Sequence, residues 1–199
     1  CERVIAQLLQ RFTEQGTRCT LATECNVPSF YTLPKAVDVI SLLDSQTMAA
    51  SDVPRAYRRL RRVVRERKPD VVLAMPEKVN VWTVLFLLGT GVPVVVSERN
   101  DPGRHPKSRI KRLLRRLIYP FAAGFVFQTE QARDCFPRAI RRRGVVLDNP
   151  LDIDRLPTAG VDRRTRTVVG AGRLDGQKNF PLLIRAFAAF RRTHPDWTL

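Results

Sequence analysis

The chain has 199 residues, enough for one large domain or one and a fraction, and 44% of them are hydrophobic, which excludes wholesale disorder. Its net charge of +16, much of it arginine, favours an anionic partner: nucleic acid, an acidic membrane surface or phosphorylated small molecules. A solvated, arginine-rich surface is the competing explanation of the same charge. The four cysteines, Cys1, Cys19, Cys25 and Cys135, form no C-x-x-C pair; with only His105 and His194 beside them the composition speaks against a structural zinc site and for reduced thiols in a cytosolic protein.

No signal-peptide pattern opens the sequence. Residues 2–15 are predicted helical: Val4, Ile5, Leu8, Leu9 and Phe12 share a face, and Gly16 stands where a C-terminal cap belongs. Short strands are expected at 18–23 and 38–43. A helix follows at 54–67, with Pro54 near its first turn and Tyr57, Leu60, Val63 and Val64 inward. Pro69-Asp70 introduces a buried strand at 71–75. Residues 79–96 carry no charge and imitate a membrane span, but Gly89-Thr90-Gly91-Val92-Pro93 breaks a single helix there. The run therefore divides into a helix at 78–88, a turn and a buried strand at 94–96. An amphipathic helix at 108–119, a strand at 124–127, a helix at 130–136 and a strand at 145–147 complete this part.

Apolar strands alternating with amphipathic helices imply an α/β fold: a doubly wound parallel sheet covered on both faces. Ligands of such sheets bind at the carboxyl ends of the strands, which singles out Glu98, Arg99 and Asn100, Gln128 and Thr129, and Asp148 and Asn149. After Asn149-Pro150 the texture changes. Residues 1–150 read as one domain, 151–166 as a linker and 167–199 as the start of a second Rossmann-like domain. In that second part a strand is expected at 167–171 and another begins at 196–199. Between them lies a helix at 180–192, with Leu182, Leu183, Ala186, Phe187 and Phe190 inward. One strand, one helix and a stub cannot enclose a core, so this domain is expected to be truncated, leaving apolar residues of its helix, Leu183 and Phe187 included, exposed.

Gly172-Arg173-Leu174, followed at 177–179 by Gln177-Lys178-Asn179, bridges a strand and a helix. Such a turn offers unpaired backbone N–H groups at the positive end of a helix dipole. Gly170 and Gly172 are expected to let a ligand approach the backbone, and Arg173 and Lys178 add two charges suited to a diphosphate. A plain turn with two solvated cations is the alternative.

This segment resembles the donor-site motif of glycosyltransferase family 4, retaining enzymes of GT-B fold. Other segments resemble the family in order: Glu2-Arg3-Val4 opening a helix, Lys68-Pro69-Asp70-Val71-Val72, Ser97-Glu98-Arg99-Asn100-Asp101-Pro102, the closing Asn149-Pro150, and Pro195-Asp196-Trp197. The resemblance implies that the first domain binds an acceptor and the second a nucleotide sugar. It implies that Gly172, Arg173, Lys178 and Asn179 hold the donor diphosphate, with Arg173 and Lys178 also stabilising the leaving group. Glu98 falls near the sugar–acceptor junction as a catalytic candidate, or as a structural carboxylate paired with Arg99; Arg99 and Asn100 fall on the acceptor side. No metal and no cofactor are implied, the nucleotide sugar being a substrate. The implied reaction is retaining transfer to a lipid-linked or cell-surface glycan precursor, in the cytoplasm or at the cytoplasmic face of the membrane. The family's first strand and glycine-rich loop are expected ahead of Glu2, and its downstream glutamate pair beyond Leu199, so the chain reads as a fragment expected to be inactive alone.

Two other functions are compatible with the residues. The arginine-rich stretches 55–67 and 104–116 suit phosphate contacts of a nucleic-acid-binding protein, and the 172–179 turn alone suits a non-catalytic nucleotide or sugar-phosphate binding module. In 107–119, Ile110, Leu113, Leu114, Leu117 and Ile118 share a face that is expected to pack inward. Lys107, Arg109, Lys111, Arg112, Arg115 and Arg116 surround it, as on a solvated basic helix or one that attracts anionic lipid headgroups.

Overall fold

The computed structural model describes residues 2–151, 165–176 and 178–199. The chain divides into two compact units, Cys1–Leu151 and Asp152–Leu199. Most of the expected 151–166 linker, and Gln177, lie outside the described residues.

The first unit is α/β with parallel sheets. Helix α1, Glu2–Glu14, precedes a two-stranded parallel sheet of β1, Thr20–Thr23, and β2, Asp38–Ser41. Leu9, Cys19 and Val37 form a small core there with Ile5, Leu21 and Leu33. Phe12 falls outside it, 38% exposed.

A four-stranded parallel sheet carries the rest, in the order β3, Val72–Ala74, β4, Val94–Ser97, β5, Gly124–Phe127, and β6, Gly144–Val146. Helices link its strands: α3, Glu77–Leu87, after β3; α4, Arg109–Ile118, after β4; α5, Glu130–Asp134, and α6, Arg138–Arg141, after β5. Helix α2, Val53–Arg67, buries Tyr57, Leu60 and Val64, and Arg61 fastens it to the end of α3 by donating to the carbonyls of Phe86 and Leu88, both at 2.7 Å. The uncharged run resolves as helix, turn and strand; Gly89 (φ +72°) and Gly91 (φ +80°) take the left-handed conformations the turn needs. Among the described residues no helix is long and apolar enough to cross a membrane.

Coverage of the sheet departs from expectation. Val94, Val96, Phe125 and Phe127 are buried, but Leu73 and Val145, on alternate positions of the outer strands, are 40% and 54% exposed. Period-two exposure of this kind marks outer strands shielded on one face, so apolar composition alone overstated their burial.

Helix α4 departs further. Of its expected inward face only Ile118 is buried, with Leu114 half-buried; Ile110, Leu113 and Leu117 are 80%, 58% and 58% exposed. The helix rests on the edge that carries Ile118 and Arg115, and its apolar stripe faces solvent.

The core is aromatic. Tyr119 stacks on Phe136 at 5.9 Å, and Phe127 lies 5.2 Å from Phe136. Arg143 covers Phe125 at 5.5 Å while donating to the carbonyls of Pro120 and Ala122, at 3.1 and 2.7 Å. Gly144 lies against this cluster: a Cβ there sits 2.4 Å from Cε2 of the buried Phe127. Gly144→Ala is therefore expected to cost about 1–3 kcal/mol through overpacking. Urea unfolding checks this, and an unshifted midpoint contradicts it.

In the second unit the expected strands reduce to a single parallel bridge, Thr167 with Thr198, and Val169 is 81% exposed. Helix α7, Phe180–Arg191, half-buries Leu183 and Phe187, while Leu182, Ile184 and Phe190 are exposed, so the inward set is narrower than its period suggests. Phe190 stacks on His194 at 4.2 Å and meets Trp197 edge-on at 5.5 Å.

Candidate functional site

Strands β3 and β4 deliver their exits to one side of the sheet. A cleft of about 460 Å³ lies there, lined by Glu77, Lys78, Asn100, His105, Lys107 and Lys111 among others. The first turn of α3 has no side-chain cap, its N-cap being Pro76, whereas Ser108 caps α4 by accepting from the Lys111 N–H at 3.5 Å. Three lysines, a histidine and uncapped helix N–H groups suit an anionic group. Asn100 borders this cleft. A second hollow, about 260 Å³, opens at the amino end of β4, its side chains apolar and including Val84, Leu87, Val94 and Phe121.

Glu98 does not face the cleft solvent. It is 1% exposed, and its Oε1 accepts from the Tyr119 hydroxyl. Asn80, also buried, donates to the Ser97 carbonyl at 2.9 Å and to the Tyr119 oxygen at 3.4 Å. Burial pushes the Glu98 carboxyl up to about 7; the Tyr119 bond and Arg115 oppose the rise, and Glu77 adds to it. Burial, with Glu98 beside it, raises the Tyr119 hydroxyl above its usual range as well.

The expected Glu98–Arg99 pair does not form. Arg99 turns away and donates to Asn149 Oδ1, joining the exit of β4 to the residues after β6; partial burial lowers its pKa. Thr129 caps α5 by accepting from the Ala132 N–H at 3.1 Å. Arg115, on the underside of α4, donates to the carbonyls of His105 and Pro102 at 2.9 and 3.1 Å and lies 5.1 Å over Phe136. It thereby holds the loop that walls the cleft.

In the second unit, Arg173 and Lys178 stand on the turn before α7. The Arg173 side chain is 80% exposed and lies 3.4 Å from Asp175, whose Oδ1 accepts from the Lys178 N–H at 3.1 Å. Asn179 is the N-cap residue in a left-handed conformation, with no side-chain capping bond. One expectation for the glycines changes. A Cβ on Gly170 meets Leu183 Cδ2 at 2.7 Å and Phe180 Cε1 at 3.1 Å, so Gly170 lets the helix approach, not a ligand. Beside Gly172 (φ +157°) runs the Lys178 stem, whose Cγ lies 3.2 Å from an added Cβ.

Tyr119, Asn80 and Asp175 were not singled out in sequence, and Arg115 was named only among the cations around the apolar face of its helix. Asp175 had a local signal, its place inside the 172–179 stretch.

A parallel α/β unit with polar groups at its strand exits, matched over residues 1–150 by the glycosyl transferase 4-like domain, makes this chain a member of that family. Among curated proteins it is similar to the GalNAc-alpha-(1->4)-GalNAc-alpha-(1->3)-diNAcBac-PP-undecaprenol alpha-1,4-N-acetyl-D-galactosaminyltransferase of Campylobacter jejuni subsp. jejuni serotype O:2. The two are 26% identical over 164 residues, 80% of this chain. The chain spans 45% of that relative's length.

Proposed function

We propose that this chain is part of a retaining glycosyltransferase that moves a sugar from a nucleotide-diphosphate donor to a lipid-linked or cell-surface glycan precursor at the cytoplasmic face of a membrane. Residues 1–150 form the acceptor side and 167–199 begin the donor side. The observation that carries this is the 172–179 turn, where two exposed cations precede α7 in a chain of this family. Gly172, Arg173, Lys178 and Asn179 hold the diphosphate, and the two cations stabilise charge on the leaving phosphate. The relative's name, which specifies a PP-undecaprenol-linked glycan, supports a diphosphate-bearing acceptor. Asn100 and the lysine-lined cleft suit that acceptor's anionic group. Buried Glu98, with Tyr119 bonded to it, positions the strand exit rather than moving protons in solvent contact.

The test is a transfer assay on the complete gene product, using nucleotide sugars and a polyprenyl-diphosphate-linked glycan, with product anomers assigned by NMR. Retention of the donor's anomeric configuration is expected. An inverted product rejects the retaining mechanism, and transfer to none of the acceptors rejects the reading.

A further inference from the structure

The exposed side of α4 is composed for a surface. Ile110, Leu113 and Leu117 recur at helical spacing, within roughly 60° of arc at about 100° per residue. They are 80%, 58% and 58% exposed, and Phe121, just beyond the helix, is 62% exposed. Arg109, Arg112 and Arg116 form a parallel row beside this stripe, and the helix contains no acidic residue. Among the described ion pairs none uses these arginines or Lys111.

We propose that α4 lies flat on an anionic lipid bilayer, with Ile110, Leu113, Leu117 and Phe121 in the boundary between headgroups and acyl chains and Arg109, Arg112 and Arg116 on lipid phosphates. An apolar row edged by cations along its length is what an interfacial helix presents. Charge complementarity selects the bilayer: an apolar partner leaves the arginine row unmatched, and a neutral bilayer leaves it without counter-charge. The cleft adjoins this helix: Lys107 and Lys111, at the start of α4, line it. This inference stands apart from the donor chemistry, because its test measures binding without turnover.

The test is co-sedimentation of the chain with phosphatidylcholine vesicles and with phosphatidylglycerol vesicles. Strong partitioning is expected onto the anionic vesicles alone. Each cation near such a surface contributes about fivefold, so changing Arg109, Arg112 and Arg116 together to Gln is expected to cost about a hundredfold. Changing Ile110, Leu113 and Leu117 together to Ser is expected to cost at least about tenfold, with thermal unfolding by circular dichroism unchanged because these side chains are exposed. In a Leu113→Trp variant, brominated lipid is expected to quench fluorescence more than in the parent. Equal partitioning onto both vesicles overturns the proposal, as does a serine variant that binds like the parent. A concentration-dependent dimer in lipid-free buffer that the serine variant dissolves assigns the stripe to a second copy of this chain instead.

Discussion

Arg173→Ala and Lys178→Ala are each expected to lower turnover about ten- to a hundredfold in the complete transferase, beyond any rise in the donor KM. A charge-assisted hydrogen bond is worth about 1.5–3 kcal/mol, which corresponds to that range. The effect falls on kcat because charge accumulates on the departing phosphate as the glycosidic bond breaks, so the cations act more strongly in the transition state than on bound donor. Neither substitution removes core packing: the Arg173 side chain is 80% exposed and Lys178 is exposed. The Arg173–Asp175 contact, itself exposed, contributes little to stability, so the guanidinium is available to a ligand at small cost. Arg173→Lys is expected to recover little of the loss if both oxygens of a phosphate are gripped by the planar fork. Steady-state kinetics with varied donor separates the two parameters. Near-parent kinetics for both alanine variants removes the diphosphate assignment and leaves two solvated cations.

Glu98→Gln is expected to change how stability depends on pH. The carboxyl sits at about 7 in the folded chain against an ordinary 4.5, because burial disfavours its charge. The folded state therefore holds a proton that the unfolded state releases, and stability falls as pH rises. The contribution is fully present below about 4.5, declines between 4.5 and 7, and is lost above. A shift of this size corresponds to on the order of 3 kcal/mol. Glutamine keeps an acceptor for the Tyr119 hydroxyl and does not titrate, so the variant gains on the parent through that interval and exceeds it at pH 8. Urea unfolding at pH 4, 6 and 8 measures the difference. Parallel profiles for the two proteins show that Glu98 ionises normally.

Much of the first unit was legible before any coordinates. The repeats in 2–15 and 54–67 define their helices because a helix that buries one side must carry apolar groups every three or four residues. The glycines at 89 and 91 end α3 because only residues tolerant of positive φ turn the chain so tightly. Strand exits were legible too, which put Glu98, Arg99 and Asn100 at one end of the sheet. What periodicity does not encode is which neighbour a side chain meets. Glu98 is paired with a hydroxyl 21 residues downstream, and Arg99 with an amide 50 residues downstream. Nor does an amphipathic helix announce which side the body occupies. In α4 one long arginine, reaching two carbonyls beneath the helix, and Ile118 decided the matter against the larger leucine face. Gly170 illustrates a third limit: a missing Cβ reads the same whether a phosphate or a helix fills its place.

Arg115 also anchors the 101–108 loop. That stretch has no ladder of its own, and it is tied to α4 through the carbonyls of Pro102 and His105. Helix and loop are consequently fastened together, with the guanidinium as the rivet and the Phe136 ring as its seat. The cleft wall that carries His105 and Lys107 is therefore hung on α4, and one residue beneath the helix joins the outer surface of this unit to its cleft.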